Sequence, residues 1–192
     1  MVTLKTLQKL PTNLKSLSQE QRANAAVALI IKPGNGDFEI LLVKRAIRAN
    51  DVWSGQMAFP GGKRELQDAT LKATATRETL EETGIEIASS RFLGVLDAVK
   101  PMTGSGFLVL PFVVELDKTP QIVLNRTELE SYIWVPYEEI RPSMGKTLIP
   151  LIGEVPAFLP KNTIVWGMTY KILCNFFKIV ESIKTQELLF QA

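Results

Sequence analysis

The chain has 192 residues with 22 basic and 20 acidic side chains, a net charge of +2, 46% hydrophobic and 22% charged residues. That balance fits one globular domain with a full core and gives no electrostatic case for nucleic acid or a membrane surface as a partner. There is no histidine and a single cysteine, Cys174, which excludes His-based triads, His-ligated zinc, thiolate metal sites and an intrachain disulfide.

In chain order, Leu4, Leu7, Leu10, Leu14 and Leu17 recur at helical spacing and predict an amphipathic helix interrupted near Pro11. Residues 1–24 lack the apolar core and cleavage site of a secretory signal and read as an N-terminal docking segment before a single domain over 25–192. Ala25–Ile31 reads as a buried strand, Gly34-Asn35-Gly36-Asp37 as a turn and Phe38–Arg45 as the hairpin partner. Ile47–Gly55 reads as a loop, Met57–Phe59 as a short strand ended by Pro60, and Asp68–Thr83 as a helix capped by Asp68 and closed by Gly84. Arg91–Lys100 and Phe107–Leu116 are strands joined through Met102-Thr103-Gly104-Ser105-Gly106, with Ile122–Leu124 as a short extension. Ser131–Val135 is a further strand, Pro136–Arg141 a short helix, Thr163–Val165 a last strand and Trp166–Val180 a last helix, with Cys174 in its apolar stretch as a core residue. The class is α+β, an α-β-α sandwich. No run approaches the roughly 20 apolar residues that span a bilayer, and a cytoplasmic location is expected.

The helix ending at Gly84 carries the most pointed signal. Glu78, Glu81 and Glu82 stand at i, i+3 and i+4, where side chains share a face and like charges repel. They also occupy the last turn, where the helix dipole favours cations. A divalent cation would repair both faults, since hard cations take oxygen ligands. Leu71 and Ala75 fall on the same stripe, so the face begins apolar and turns acidic, as the wall of a site does and a solvated face does not. Upstream, Phe59-Pro60-Gly61-Gly62-Lys63-Arg64 supplies two glycines that permit close approach of a ligand or ion.

Gly62, Arg77, Glu78, Glu81, Glu82, Gly84 and Ile85 together resemble the signature of the Nudix pyrophosphohydrolases. The chain departs from that pattern in having Asp68 for a glutamate, eight residues instead of seven before Arg77, and Thr79 at an aliphatic position; the Arg-Glu and Glu-Glu core is intact. Leu41–Arg45 followed by Gly55 and Phe59–Gly62, together with Ile164–Thr169, is similar to the coenzyme A diphosphatase subgroup, except that Asp51 stands where an arginine is usual. The resemblance covers roughly residues 25–180. It implies a Nudix-type α-β-α sandwich with a mixed central sheet, Mg²⁺ or Mn²⁺ as cofactor, and a small nucleotide as substrate. No nucleic acid or membrane partner is implied, and a homodimer is allowed for.

The resemblance also distributes roles. Glu78 and Glu82, then Glu81, are the expected metal ligands, with the Gly61 carbonyl completing the shell. Arg77 orients a carboxylate, and the base is a glutamate of the signature or one from a distant loop, Glu128 or Glu130. Arg45, Arg48 and Lys63 are candidates for phosphate contacts, and Trp53 for stacking on a base or covering an apolar arm. The expected reaction is hydrolysis of coenzyme A to 4′-phosphopantetheine and 3′,5′-ADP. An ADP-ribose or nucleotide-sanitising hydrolase is the alternative within the enzymes, and a non-catalytic nucleotide-sensing module the alternative outside them.

Overall fold

The computed structural model describes residues 4–17, 23–34, 38–49, 53–101 and 107–189. Residues 35–37, Asp51 and the Met102–Gly106 connection lie outside them. Two apolar runs organise the sheet. β1 (Ala25–Pro33) and β6 (Val109–Glu115) pair in parallel from Ala25↔Val109 to Ile31↔Glu115. Both are buried almost throughout, as strands covered on both faces must be.

Around this pair the sheet is antiparallel. β2 (Phe38–Arg45) returns along β1 with Ile31 opposite Ile40, as the turn signal predicts. The sheet runs β3-β2-β1-β6-β5, with β4 (Gly61–Lys63) also on β1 and β7 (Leu129–Pro136) also on β2; β3 is Met57–Ala58 and β5 is Arg91–Val95. Strand alternation splits the core in two. Ala25, Val27, Leu29 and Ile31 face α1 (Leu4–Asn13) and α4 (Gly167–Leu189); Ala26, Ala28 and Ile30 face α2 (Leu71–Thr83) through Leu71 and Ala75. The result is the expected α-β-α sandwich. Among the described residues no helix is long and apolar enough to cross a membrane.

Several expectations change. α1 does not break at Pro11 but continues to Asn13. Burial of Leu7, Leu10 and Leu14 with the α4 side of the core offsets the bond that proline cannot donate. Its exit is fixed by reciprocal bonds between Lys15 and Val95. The β5 run stops at Val95, with Val99 making only an isolated bridge to Val109. Residues 122–124 form no strand; the Val123 and Asn125 amides instead donate to the Thr83 and Glu82 carbonyls at the end of α2. After the short α3 (Tyr137–Ile140), an unforeseen hairpin of β8 (Met144–Ile149) and β9 (Gly153–Phe158) pairs with β10 (Val165–Trp166) in a second, three-stranded sheet. The last helix extends beyond Val180 to Leu189.

Candidate active site

The glycine pair does more than turn the chain. Gly61–Lys63 is itself a strand, threaded between β1 and α2, with Ala26 opposite Gly62. Gly61 has φ of 146°, and a Cβ there would stand 2.3 Å from the Ala26 carbonyl oxygen. A Cβ on Gly62 would stand 2.4 Å from Glu78 Oε1. Only glycines let α2 bring its carboxylates this close to the sheet.

α2 is capped by Thr70, whose hydroxyl accepts from the Ala73 amide at 3.1 Å, and not by Asp68. Asp68 is occupied elsewhere: its two oxygens accept from Arg77 Nε at 3.1 Å and Nη2 at 2.9 Å, and it also takes the Glu65 amide. Arg77 holds the Asp68 carboxyl well below the usual carboxylate range, against the opposing effect of burial. The same guanidinium reaches Glu78 Oε1 at 3.1 Å, Glu81 Oε2 at 2.9 Å and the Lys63 carbonyl at 3.2 Å, and it is stabilised in its charged form, first by Asp68. Gly84 closes the helix with φ of 70° and its amide on the Leu80 carbonyl.

The acidic stripe therefore divides. Glu82 is 5% exposed, beside Leu71 and Ala75 on the core-facing stripe. Its Oε2 accepts the Gly61 amide at 2.9 Å. Burial pushes its carboxyl up to about 8, with Glu78 and Glu128 adding to the rise; the Gly61 amide and the Arg45 charge oppose it. Glu78, half-buried, is also raised, first by burial, while Arg77 pulls the other way and Glu81 and Glu128 add to the rise. Glu81 turns out towards solvent, with its side chain 55% exposed on Arg77. Among the described residues no three acidic or cysteine side chains converge into a preformed metal cluster. The donor chemistry nonetheless fits a hard cation: carboxylate oxygens drawn out of solvent, raised by burial despite the charges of Arg77 and Arg45, beside the backbone of a glycine strand.

Glu128 reaches this group from a loop tied at both ends. Asn125 bonds the Glu82 carbonyl through its amide and Glu128 Oε1 through its side chain at 3.3 Å, while the Ala46 amide donates to the Glu128 carbonyl. Arg48 belongs to this tie: its guanidinium donates twice to the Thr127 carbonyl. Glu130 leaves the site and pairs with Lys44 at 2.7 Å.

A cavity of about 540 Å³ lies across β4 from the carboxylates, lined by Arg45, Trp53, Gly61, Gly62, Lys63 and Phe107 among others. It brings together three of the four expected substrate contacts; Arg48 is not among its walls. Arg45 joins the two halves, lining the cavity while its charge bears on Glu82. Lys63 sets its ammonium 5.6 Å from the Phe107 ring centroid. Sequence reasoning overlooked Phe107 and, although it noted the Ile164–Thr169 stretch, gave no site role to Met168 or Thr169; the Thr169 hydroxyl donates to the Met57 carbonyl at 2.9 Å and fixes α4 beside the cavity. The overlooked Asn125 carried one signal: an Asn three residues before a glutamate, in a loop flanked by strands.

A family model described as NUDIX domain matches residues 21–152. An uncharacterized Nudix hydrolase, NudL, of Pectobacterium atrosepticum is 30% identical over 131 residues, covering 68% of this chain and 65% of that protein. Nudix hydrolase 3 of Caenorhabditis elegans is 29% identical over 150 residues, covering 75% of this chain and 61% of that protein. The chain spans less than two thirds of the length of these curated relatives. Among solved structures, a MutT protein from Methanosarcina mazei superposes with a TM-score of 0.52 over 88% of this chain and 99% of its own, at 21% identity, a likeness of fold.

Proposed function

The chain belongs to the NUDIX family, and from that premise we propose that it hydrolyses the diphosphate linkage of a nucleoside diphosphate derivative, coenzyme A first, with a divalent cation. The observation that carries this reading is Glu82: a carboxylate buried to 5% exposure, crowded by Glu78 and Glu128 and anchored by the Gly61 amide, beside a cavity that presents Arg45 and Lys63. A carboxylate in this position is costly unless a cation joins it.

Glu78 and Glu82 hold the ion, Mg²⁺ or Mn²⁺, with Gly61 backbone beside them; Glu81 is held out by Arg77. When bound, the cation supplies charge stabilisation and a more acidic water. The chain does the rest. Asp68 fixes Arg77, and Arg77 fixes Glu78. Glu128, with its carboxylate within electrostatic reach of Glu78 and Glu82, takes the proton from the attacking water. Arg45 neutralises phosphate charge as it develops, with Lys63 on the same cavity. Trp53 and Phe107 give the cavity aromatic walls for a base.

Mass spectrometry of products in Mg²⁺ tests the assignment. The expected result is 4′-phosphopantetheine and 3′,5′-ADP from coenzyme A. No cleavage of coenzyme A under conditions where ADP-ribose is split sinks the coenzyme A assignment, and no cleavage of any diphosphate sinks the hydrolase reading.

A further inference from the structure

A second cavity, of about 650 Å³, adjoins the first: Gln56 and Met57 line both. Its far wall is the tip of the β8–β9 hairpin with Ile164, and Ile133 and Trp166 complete its apolar lining. Leu151 at that tip is fully exposed, Ile152 is 48% exposed and Ile164 44%. Apolar surface gathered around a concave site marks a place of contact. The non-glycine residues with left-handed backbone, among those described, all fall on the two turns that frame it: Leu151 with φ of 65°, Lys161 with 38° and Asn162 with 59°. Such conformations are costly and persist where surrounding structure holds them, often at ligand sites. The charged lining residue, Lys44, is already paired with Glu130 at 2.7 Å.

We propose that this second cavity receives an aliphatic chain carried by the non-nucleoside arm of the diphosphate substrate. The inference rests on the reading that the first cavity holds the diphosphate end. An arm leaving Arg45 and Trp53 passes Gln56 to reach the second cavity, because that residue borders both. A sugar arm would need paired polar groups to replace its hydration, and a charged arm would meet a lysine already neutralised. An alkyl chain instead covers Leu151, Ile152 and Ile164 and removes their surface from water. The uncharged Ser54, Asn162 and Thr163 in the same lining suit an ester or amide that links such a chain.

The test is a series of ADP esters of unbranched alcohols, from two to about a dozen carbons. Each methylene that enters should raise kcat/KM about threefold to fourfold until the cavity is filled. Methylene-bridged analogues that resist hydrolysis should show the same slope in calorimetric affinity. Ile164→Asp, checked for an unchanged melting profile, should flatten both slopes. Equal handling of short and long esters overturns the proposal while leaving the hydrolase reading intact. A flat slope accompanied by a dimer that Leu151→Asp dissociates also overturns it, by giving this surface to a second copy of the chain. Failure to split any diphosphate condemns the underlying reading instead.

Discussion

The buried carboxylate makes a thermodynamic prediction independent of catalysis. Replacing Glu82 by Gln in metal-free protein should stabilise the fold at alkaline pH and destabilise it by about 1–3 kcal/mol at mildly acidic pH, where the wild-type carboxyl is neutral and the cost of the extra buried N–H stands alone. Glu82 has its carboxyl raised from 4.5 to about 8 in the folded chain, chiefly by burial. A carboxyl whose folded value exceeds its unfolded value contributes stability that is fully present below the unfolded value and is lost as pH rises through the folded one. At roughly 1.4 kcal/mol per pKa unit, the loss from about pH 5 to about pH 9 is on the order of 4 kcal/mol. The amide recovers most of this but buries an N–H pair in place of an oxygen, at a cost of about 1–3 kcal/mol. The net expectation at about pH 9 is a gain of roughly 1–3 kcal/mol for the variant. Glu78, raised in the same sense, steepens the wild-type curve, whereas Asp68 is depressed, so its contribution is present above the ordinary carboxylate range and is lost only as pH falls below it. Urea denaturation in a chelator, at both pH values, measures the difference, and saturating Mg²⁺ should reverse its sign by mass action on the wild type. A variant less stable than wild type at about pH 9 would refute the claim that burial of this carboxylate outweighs the Gly61 amide and the Arg45 charge that oppose it.

Glu82→Gln should lower hydrolysis at least ~100-fold; an active variant with unaltered Mg²⁺ dependence would falsify the metal assignment. Arg45→Ala should reduce kcat/KM by about 10- to 100-fold without changing the Mg²⁺ requirement, and Arg45→Lys should lose less, since it keeps charge but not the fork; steady-state kinetics equal to wild type would remove Arg45 from the phosphate site. Gly62→Ala places a methyl group 2.4 Å from Glu78 Oε1, so activity should fall about tenfold or more from displacement of that carboxylate while the fold persists; full activity would show that Glu78 tolerates displacement. Arg48→Ala unties the Thr127 carbonyl and should lower kcat with little change in KM; a rise in KM alone would return Arg48 to substrate binding.

Where the sequence was legible, burial made it so. β1, β2 and β6 are largely buried apolar runs whose composition leaves few alternatives. The β8–β9 hairpin escaped because Pro150 and Pro156 punctuate it and its strands alternate polar residues in a sheet of only three strands. β4 escaped for a different reason. Gly61 and Gly62 have no intrinsic tendency towards strand, and the ladder forms because β1 offers an unfilled edge between Ala25 and Val27. The helix start lies at Thr70 and not at the expected Asp68, whose two oxygens are taken by Arg77, nine residues away. That contact joins residues by tertiary geometry, which a cap rule cannot see.

The site illustrates the same division at the level of charge. The stripe of Leu71, Ala75, Glu78 and Glu82, at steps of four, three and four residues, follows from helix periodicity alone. The fate of Glu81 does not, because it depends on how one arginine is shared. Arg77 faces Asp68, Glu78 and Glu81 at once, with Glu65 at 3.7 Å. Its charge is spent before it reaches Glu82, which has no part in that list. A chain with 22 basic and 20 acidic residues is balanced in total. The imbalance is local, made by the close packing of α2 on a glycine strand whose Gly61 amide donates to the buried carboxylate. Arg45 supplies part of the missing charge from the cavity side, the position from which it can also meet a phosphate. The remaining deficit is carried by oxygens alone, the donor type that a hard divalent cation takes. The proposed chemistry therefore follows from the same two glycines that fix the packing, because a side chain at Gly62 would force the Glu78 carboxylate away from the strand and one at Gly61 would force the strand away from β1.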